Sequence, residues 1–331
     1  MEIVFSVFPI IFFLLFLFLM DSFKLVSVKR VLSSFIWGII CAFVAYLINS
    51  FAVDTFSHSM QVHSKYFAPL LEELIKTGFV IYLVSAKRVG FTIDAAIYGF
   101  ATGAGFSMIE NAYYIYTLPD ASSLVWIIRG FGTSLMHGGC TAIFAVILIG
   151  GKIKERKSLL SFLIALASVT LLHSFFNHFY ISPIIQTLGI IILLPLFFII
   201  VFRYNTNQLG EWLETEFSSE VEMLKMINRG EFSSTKAGEY LLSIKEQFSQ
   251  EVIFDMYCYL KIYLELSIKA KSNIMLKESG IEIIPDPEAL DKLLEIKLLR
   301  KKIGKVGELV LSPLVSMNYR NLWKINQNFI P

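Results

Sequence analysis

Charge is what the first two-thirds of this 331-residue chain lacks. Residues 1–203 carry 13 Lys+Arg and 9 Asp+Glu, whereas the shorter remainder, 204–331, carries 16 and 18. With 55% of all residues hydrophobic, so little charge excludes both a soluble globular domain and a disordered segment for the first part. That part reads as membrane, and the second as an ordinary water-soluble domain. Cysteine is scarce as well: Cys41, Cys140 and Cys258 fall in different segments, which excludes a disulfide framework and a CxxC metal knuckle. No HExxH occurs, so the usual zincin helix spacing is missing. A net charge of +2 is too small to point to nucleic acid. Features of a cleaved leader are also missing. Glu2 stands where a basic n-region belongs and no small-x-small site precedes Asp21, so the first apolar run reads as a retained helix.

What is present is a series of apolar stretches near 3–20, 31–53, 66–84, 91–117, 125–150, 158–180 and 184–202. Each is long enough to cross about 30 Å of hydrocarbon at about 1.5 Å per residue. The expected fold is therefore all-α: a bundle of seven transmembrane helices over 1–203, followed by a cytoplasmic helical domain over 204–331. The loops alternate in charge. Lys24, Lys29, Arg30, Lys87, Arg88, Lys152, Lys154, Arg156, Lys157 and Arg203 fall on one side, and only Lys65 on the other. The positive-inside rule then places the N-terminus outside and the C-terminal domain in the cytoplasm.

Gly99 and Gly103 form a GxxxG in the fourth span, and Gly130, Gly132, Gly138 and Gly139 crowd the fifth. Small residues at such spacing let helix backbones touch, which makes these two spans central to the bundle. In the C-terminal part, apolar residues recur at helical spacing near 208–228, 234–272 and 286–303, with a turn at Pro285-Asp286-Pro287. No catalytic or phosphate-binding motif appears there, so the default role is regulatory or interactive.

Ionisable groups inside spanning helices are costly and ask for a reason. The third span carries Glu72, Glu73 and Lys76; the fourth Asp94, Glu110 and Asn111; the fifth Arg129 and His137; the sixth His173, Asn177 and His178. Counted from the outer ends of their helices, Glu72, Glu73, Glu110 and His173 all lie roughly 10 Å deep, and His137 roughly 12 Å if its span effectively begins at Arg129. Four helices thus bring acids and imidazoles to one level. The phases agree: Glu72 and Lys76 are i,i+4, as are His173 and Asn177, and Phe106, Glu110 and Tyr114 share a face. A cation beside two acids keeps one ionised while the other stays protonated in a dry site, which suits a general base acting with imidazoles that bind a metal or stabilise an oxyanion. The plain readings are a structural Glu–Lys pair, packing hydrogen bonds for His173 and Asn177, an interfacial His178, and a helix cap for Asp94. His58 and His63 fall in the outer loop 54–65, where a solvated side chain is the plain reading and a place at the mouth of a site the other.

Glu72-Glu73-x-x-Lys76, then Phe106-x-x-x-Glu110-x-x-x-Tyr114, then His137, then His173-x-x-x-Asn177 resemble, in this order over residues 66–180, the PrsW family of intramembrane proteases. That family is distantly similar to the CAAX prenyl-protease/bacteriocin-processing superfamily, which has a histidine where this chain has Glu110. The resemblance implies a polytopic protease in a bacterial cell membrane. Its implied substrate is a membrane-anchored protein or peptide, cut near the extracytoplasmic face, and an anti-sigma factor is one candidate. It implies that Glu72 or Glu73 activates water, that His137 and His173 position it or hold a metal, and that Asn177 helps bind the oxyanion, with Lys76, Asn111 and Tyr114 in support. Zn2+ held by Glu73, Glu110, His137 and His173 and a metal-free glutamate mechanism both stay open, with the extra anionic ligand Glu110 favouring a metal. No organic cofactor is implied. The domain after 203 lies outside the resemblance and is left to a regulatory partner. Two readings from other classes are an ion- or proton-coupled transporter, opposed by the nearly charge-free inner halves of spans 3–6, and a receptor or scaffold, which leaves the clustered acids unexplained.

Overall fold

The computed structural model of the protein describes residues 1–21, 26–56, 59–153, 158–281, 286–312 and 314. Lys24, His58, Lys154, Arg156, Lys157 and Pro285 lie outside the described residues. The described residues are 88% helical with no strand. The chain divides into two compact units, Met1–Asn205 and Thr206–Pro331.

The first unit contains α1 (Glu2–Leu19), α2 (Val28–Phe56), and a short α3 (Met60–Val62) that passes through a π-helical segment, His63–Phe67, into α4 (Ala68–Ser85). Next come α5 (Thr92–Thr117), then α6 (Ser123–Ile128), which continues through a second π-helical segment, Arg129–Ser134, into α7 (Leu135–Ile153). The last two are α8 (Ser158–His178) and α9 (Pro183–Asn228). Helices thus occupy all seven expected positions. Five are long and apolar enough to cross a membrane: Glu2–Leu19, Val28–Thr55, Ser123–Ile153, Ser158–His178 and Pro183–Asn207. The α4 and α5 helices differ in composition for a physical reason. The α4 helix holds Glu72, Glu73 and Lys76, and α5 is rich in glycine, alanine, threonine and serine. Every residue of α5 from Thr92 to Ser107 is buried, so its neighbours are protein, and small side chains serve it better than large apolar ones.

Asp94 starts this buried helix. Its carboxylate accepts from the backbone N–H groups of Gly90 (3.0 Å), Phe91 (2.9 Å) and Ala95 (3.0 Å), which satisfies donors that a helix N-terminus leaves unpaired. The GxxxG then does what its spacing predicts. A Cβ on Gly103 would run into the carbonyl oxygen of His137, and one on Gly99 into that of Thr141. The backbones of α5 and α7 therefore touch at the level of His137, and that contact sets how close this imidazole comes to Glu110 on α5.

The second unit comprises the C-terminal part of α9, a 3-10 turn (Phe232–Ser234), α10 (Lys236–Ser243), a second 3-10 turn (Lys245–Gln247), α11 (Gln250–Glu278) and α12 (Pro287–Leu311). Its core joins Met256, Leu260, Tyr263 and Leu264 to Phe232, Leu241, Leu293 and Ile303. Fully buried Lys271 pairs with Glu220 at 3.1 Å, and Ser267 donates to the same carboxylate at 2.7 Å. Two boundaries differ from the sequence reading. The expected 184–202 and 208–228 helices merge into α9, because no proline or glycine interrupts residues 196–209. The expected 234–272 helix breaks before α11, where the Ser249 hydroxyl accepts from Val252 N–H (3.3 Å) and caps a new start.

Gly103→Ala is expected to push α5 from α7 and to destabilise the first unit by about 1–3 kcal/mol, the usual cost of overpacking. Thermal denaturation of the detergent-solubilised protein checks this, and an unchanged midpoint would contradict the close approach.

Candidate active site

The residues singled out from α4, α5, α7 and α8 meet in one connected chain of polar groups. Glu73 and Lys76, three residues apart on α4, are fully buried and form an ion pair of 2.6 Å. The lysine is thus matched to Glu73, not to Glu72 as the i,i+4 spacing suggests. The reason is rotational: Glu73 and Lys76 face the interior of the helices together, while Glu72, about 100° around α4, turns towards α2 and α8. From α8, His173 Nδ1 lies 2.8 Å from Glu73 Oε1, and its Nε2 lies 3.9 Å from Glu72 Oε2. From α7, His137 Nδ1 lies 3.1 Å from Lys76 Nζ, and its Nε2 lies 3.0 Å from Glu110 Oε2 on α5. The two imidazoles meet edge to face, with ring centroids 4.8 Å apart. Phe106 closes the apolar side, 5.0 Å from His137 between centroids and 4.9 Å from Lys76 Nζ.

The chain extends at both ends, through Arg129 and Asn49, which the sequence reading did not place in the site, and through Asn111, Tyr114 and His63, which it named in support or at the mouth. Beyond Glu110, Arg129 places Nη2 3.4 Å from Glu110 Oε1 and donates Nε–H to Asn111 Oδ1 at 2.9 Å. Its guanidinium lies over the Tyr114 ring at 3.8 Å. Asn111 in turn donates to Ser6 O and Ser134 Oγ, both at 2.8 Å. Beyond Glu72, Asn49 on α2 donates to Glu72 Oε1 at 3.4 Å and pairs with His63 Nε2 at 3.0 Å. His63 is 7% exposed, so it is not the solvated loop residue expected: the chain from Met60 onward is already helical and turns the ring inwards. Arg129 was read only as a boundary charge, yet as the first residue of a π-helical segment it reaches back to α5. A lone amide in an otherwise apolar span was the signal available for Asn49. Asn177 donates to the Ser64 carbonyl at 3.0 Å, and Ser174, on the same helix, donates to Lys65 O at 2.6 Å. These two side chains tie α8 to the π-helical segment before α4.

Charge bookkeeping along the chain shows what it can hold. Arg129 and Lys76 face Glu110, Glu73 and Glu72, so one carboxylate is in excess, and among the described residues Glu72 is the acid in no close ion pair with a Lys or Arg. Glu72, His137 and His173 each offer a ligand atom, and these atoms lie within 4.8 Å of one another. Two imidazoles and a carboxylate are a donor set that zinc takes in catalytic sites. His173 also has the oriented carboxylate on its second nitrogen that metal-binding histidines usually have, in the form of Glu73. Glu73 Oε2 is buried with no hydrogen-bond partner among the described residues, the kind of atom that calls for a water or an ion. The residues therefore fit a metal ion. The group arranged for it contains Glu72, whereas the sequence reading offered Glu73 and Glu110 with the two histidines.

These features describe a helical protein with membrane-length apolar helices and a buried carboxylate–imidazole cluster. The family model described as PrsW family intramembrane metalloprotease matches residues 27–202, more than half of the chain and all four helices that build the site. The chain belongs to the PrsW family, and membership makes it an integral membrane protein with an intramembrane protease domain. No curated protein and no solved structure matches it.

The buried ion pair generates a prediction. Lys76→Met leaves Glu73 buried without its cation and should cost about 3–5 kcal/mol of stability. Adding Glu73→Gln removes the uncompensated charge, so the double variant is expected to be the more stable of the two. Denaturation of both in the same detergent checks the order, and the reverse order would contradict the pairing.

Proposed function

We propose that the protein is a zinc-dependent endopeptidase that hydrolyses a peptide bond of a membrane-anchored substrate near the extracytoplasmic face. The observation that carries this reading is the convergence of Glu72, His137 and His173 within 4.8 Å. These three residues would hold the ion, which when bound polarises the scissile carbonyl and lowers the pKa of water. The chain's own groups do the rest. Glu73 accepts from His173 Nδ1–H and fixes that ring, and Lys76 neutralises Glu73. Glu110, partly exposed and held by Arg129 over Tyr114, is the carboxylate left to receive a proton from water and pass it to the leaving amine. Asn177, which bonds the turn before α4, supports the site's geometry in this reading and reaches an oxyanion only if that turn moves.

The wider reading takes the helices at all seven expected positions as spanning, with α5 shielded by the others over Thr92–Ser107 and α4 presenting Leu70, Leu74 and Tyr82 outward. The loop charges support an outside N-terminus and a cytoplasmic second unit, in a bacterial cell membrane. A membrane-anchored anti-sigma factor suits a cut at this depth, and the second unit, which shows no catalytic constellation among its described residues, suits a regulatory partner. One observation favours a metal-free glutamate mechanism as the second reading. Lys76 donates to His137 Nδ1, which leaves the proton on Nε2, facing Glu110.

Glu72→Gln is expected to lower cleavage of a co-expressed single-span substrate by about 10²–10⁴-fold, with unchanged accumulation of the protease. Zinc measured by elemental analysis should be stoichiometric in the wild type and lost in the variant. Full activity with no bound metal, insensitive to chelators, would replace the metal reading with the glutamate one. Undiminished cleavage by Glu72→Gln would sink both.

A further inference from the structure

We infer that Asn49, locked in orientation by His63, is a positioning residue that aims the Glu72 carboxylate; the inference rests on the role proposed for Glu72. Three observations carry it. First, the amide is read at both ends. Its Nδ2 donates to Glu72 Oε1, which as an ionised metal ligand accepts, so its Oδ1 faces His63 Nε2, which must then be the protonated nitrogen. The ring and the amide fix each other's orientation, and the resulting direction of donation runs from His63 through Asn49 to Glu72. Second, the surroundings are apolar. Asn49 and His63 line a cavity of about 360 Å³ whose other walls include Ile48, Phe67, Leu70 and Leu74. The cavity opens outward, its lining offers the amide no polar side chain besides His63, and a hydrogen bond set against apolar surface is stronger than one in water. Third, Glu72 needs an external guide. Glu73 has Lys76 and His173 at 2.6 and 2.8 Å, and Glu110 has His137 and Arg129, whereas Glu72 has His173 only at 3.9 Å. Asn49 is the closer of its two described partners. Its 3.4 Å contact is long for an N–H···O bond, as active-site bonds often are until substrate or ion draws the groups together.

His63 begins the π-helical segment that leads into α4, and its ring stacks on Phe67 of the same segment. The ring is thus set by the turn that precedes Glu72, while the amide comes from α2. Asn49 couples the two helices at the acid.

The test uses full-length protein and three measurements: kcat and KM on a single-span substrate, zinc affinity, and melting temperature. Asn49→Leu keeps the approximate shape and removes the donor. It is expected to lower kcat and zinc affinity each by about 10–100-fold, the usual effect of losing a group that orients a ligand, with KM and melting temperature near wild type. His63→Ala should give a smaller loss in the same two quantities. The double variant should be no worse than Asn49→Leu alone, since both changes act on one contact. Wild-type kcat and zinc affinity in Asn49→Leu, or losses that add in the double variant, would overturn the proposal, as would a loss of melting temperature with kcat per folded molecule unchanged. If Asn49→Leu behaves as wild type while Glu72→Gln is inactive and metal-free, the positioning role fails and the active-site reading stands. If wild-type protein takes up no zinc but kcat still falls in Asn49→Leu, the positioning role stands and the metal reading fails.

Discussion

The four helices that build the site are organised around an ion pair buried inside the protein. Glu73 and Lys76 are both fully buried, and removing each ion from water costs several kcal/mol even after relaxation. A contact of 2.6 Å recovers much of that, but the remaining hydrogen-bonding capacity of both groups must also be met. The protein meets part of it with two imidazoles from two other helices, His173 on the acid and His137 on the ammonium, and Glu73 Oε2 keeps no partner among the described residues. A pair local to one helix thereby becomes a requirement on three. The same imidazoles use their second nitrogens to reach Glu72 and Glu110. The stability of the buried pair and the placement of the more exposed acids are consequently one problem with one solution.

That solution demands backbones that approach unusually closely, and the sequence supplies them where they are needed. Gly103 admits the His137 carbonyl, so α7 lies against α5 at the height of the imidazole. The other two adjustments are π-helical. His63–Phe67 precedes the helix that carries the two acids, and Arg129–Ser134 precedes the helix that carries His137. A π turn shifts the helical phase of the residues beyond it and frees carbonyls for other donors. Ser174 and Asn177 of α8 donate to two such carbonyls, those of Lys65 and Ser64. The helix that provides His173 therefore also braces the turn that aims Glu72 and Glu73.

Much of this was legible in the residues. The depth argument put Glu72, Glu73, Glu110, His137 and His173 on one level because helical rise is nearly constant, and glycine spacing marked the two central helices because only small side chains permit contact of backbones. The direction of individual bonds was less legible. Spacing alone allows Lys76 to meet Glu72 at i,i+4 or Glu73 at i,i+3, and the choice depends on which side of α4 faces protein. Composition likewise gave no partners for Arg129 and His63. Both belong to π-helical segments, which leave no mark in periodicity, and both reach partners on other helices. The break before α11 has no glycine or proline and is made by a serine cap, a signal too common to read unaided.

The contact between Lys76 and His137 is where two chemistries divide. An ammonium has only donors to offer, so a ring nitrogen beside it must accept, and the proton of a neutral ring then sits on Nε2, facing Glu110. In that tautomer His137 holds Glu110 in place as a carboxylate and has no lone pair to give a metal from the same nitrogen. For His137 to be a ligand through Nε2, that proton must leave. Nδ1 must then either go on accepting from Lys76, as a ring with imidazolate character, or take a proton while Lys76 turns to Glu73 alone. Glu73 is already 2.6 Å away and can keep the ammonium. The second route leaves the buried pair intact and gives up the Lys76–His137 contact together with the bond from Nε2–H to Glu110. The ion pair that organises the helices would also let His137 shift its proton to Nδ1 and turn Nε2 to an ion while Lys76 stays matched to Glu73.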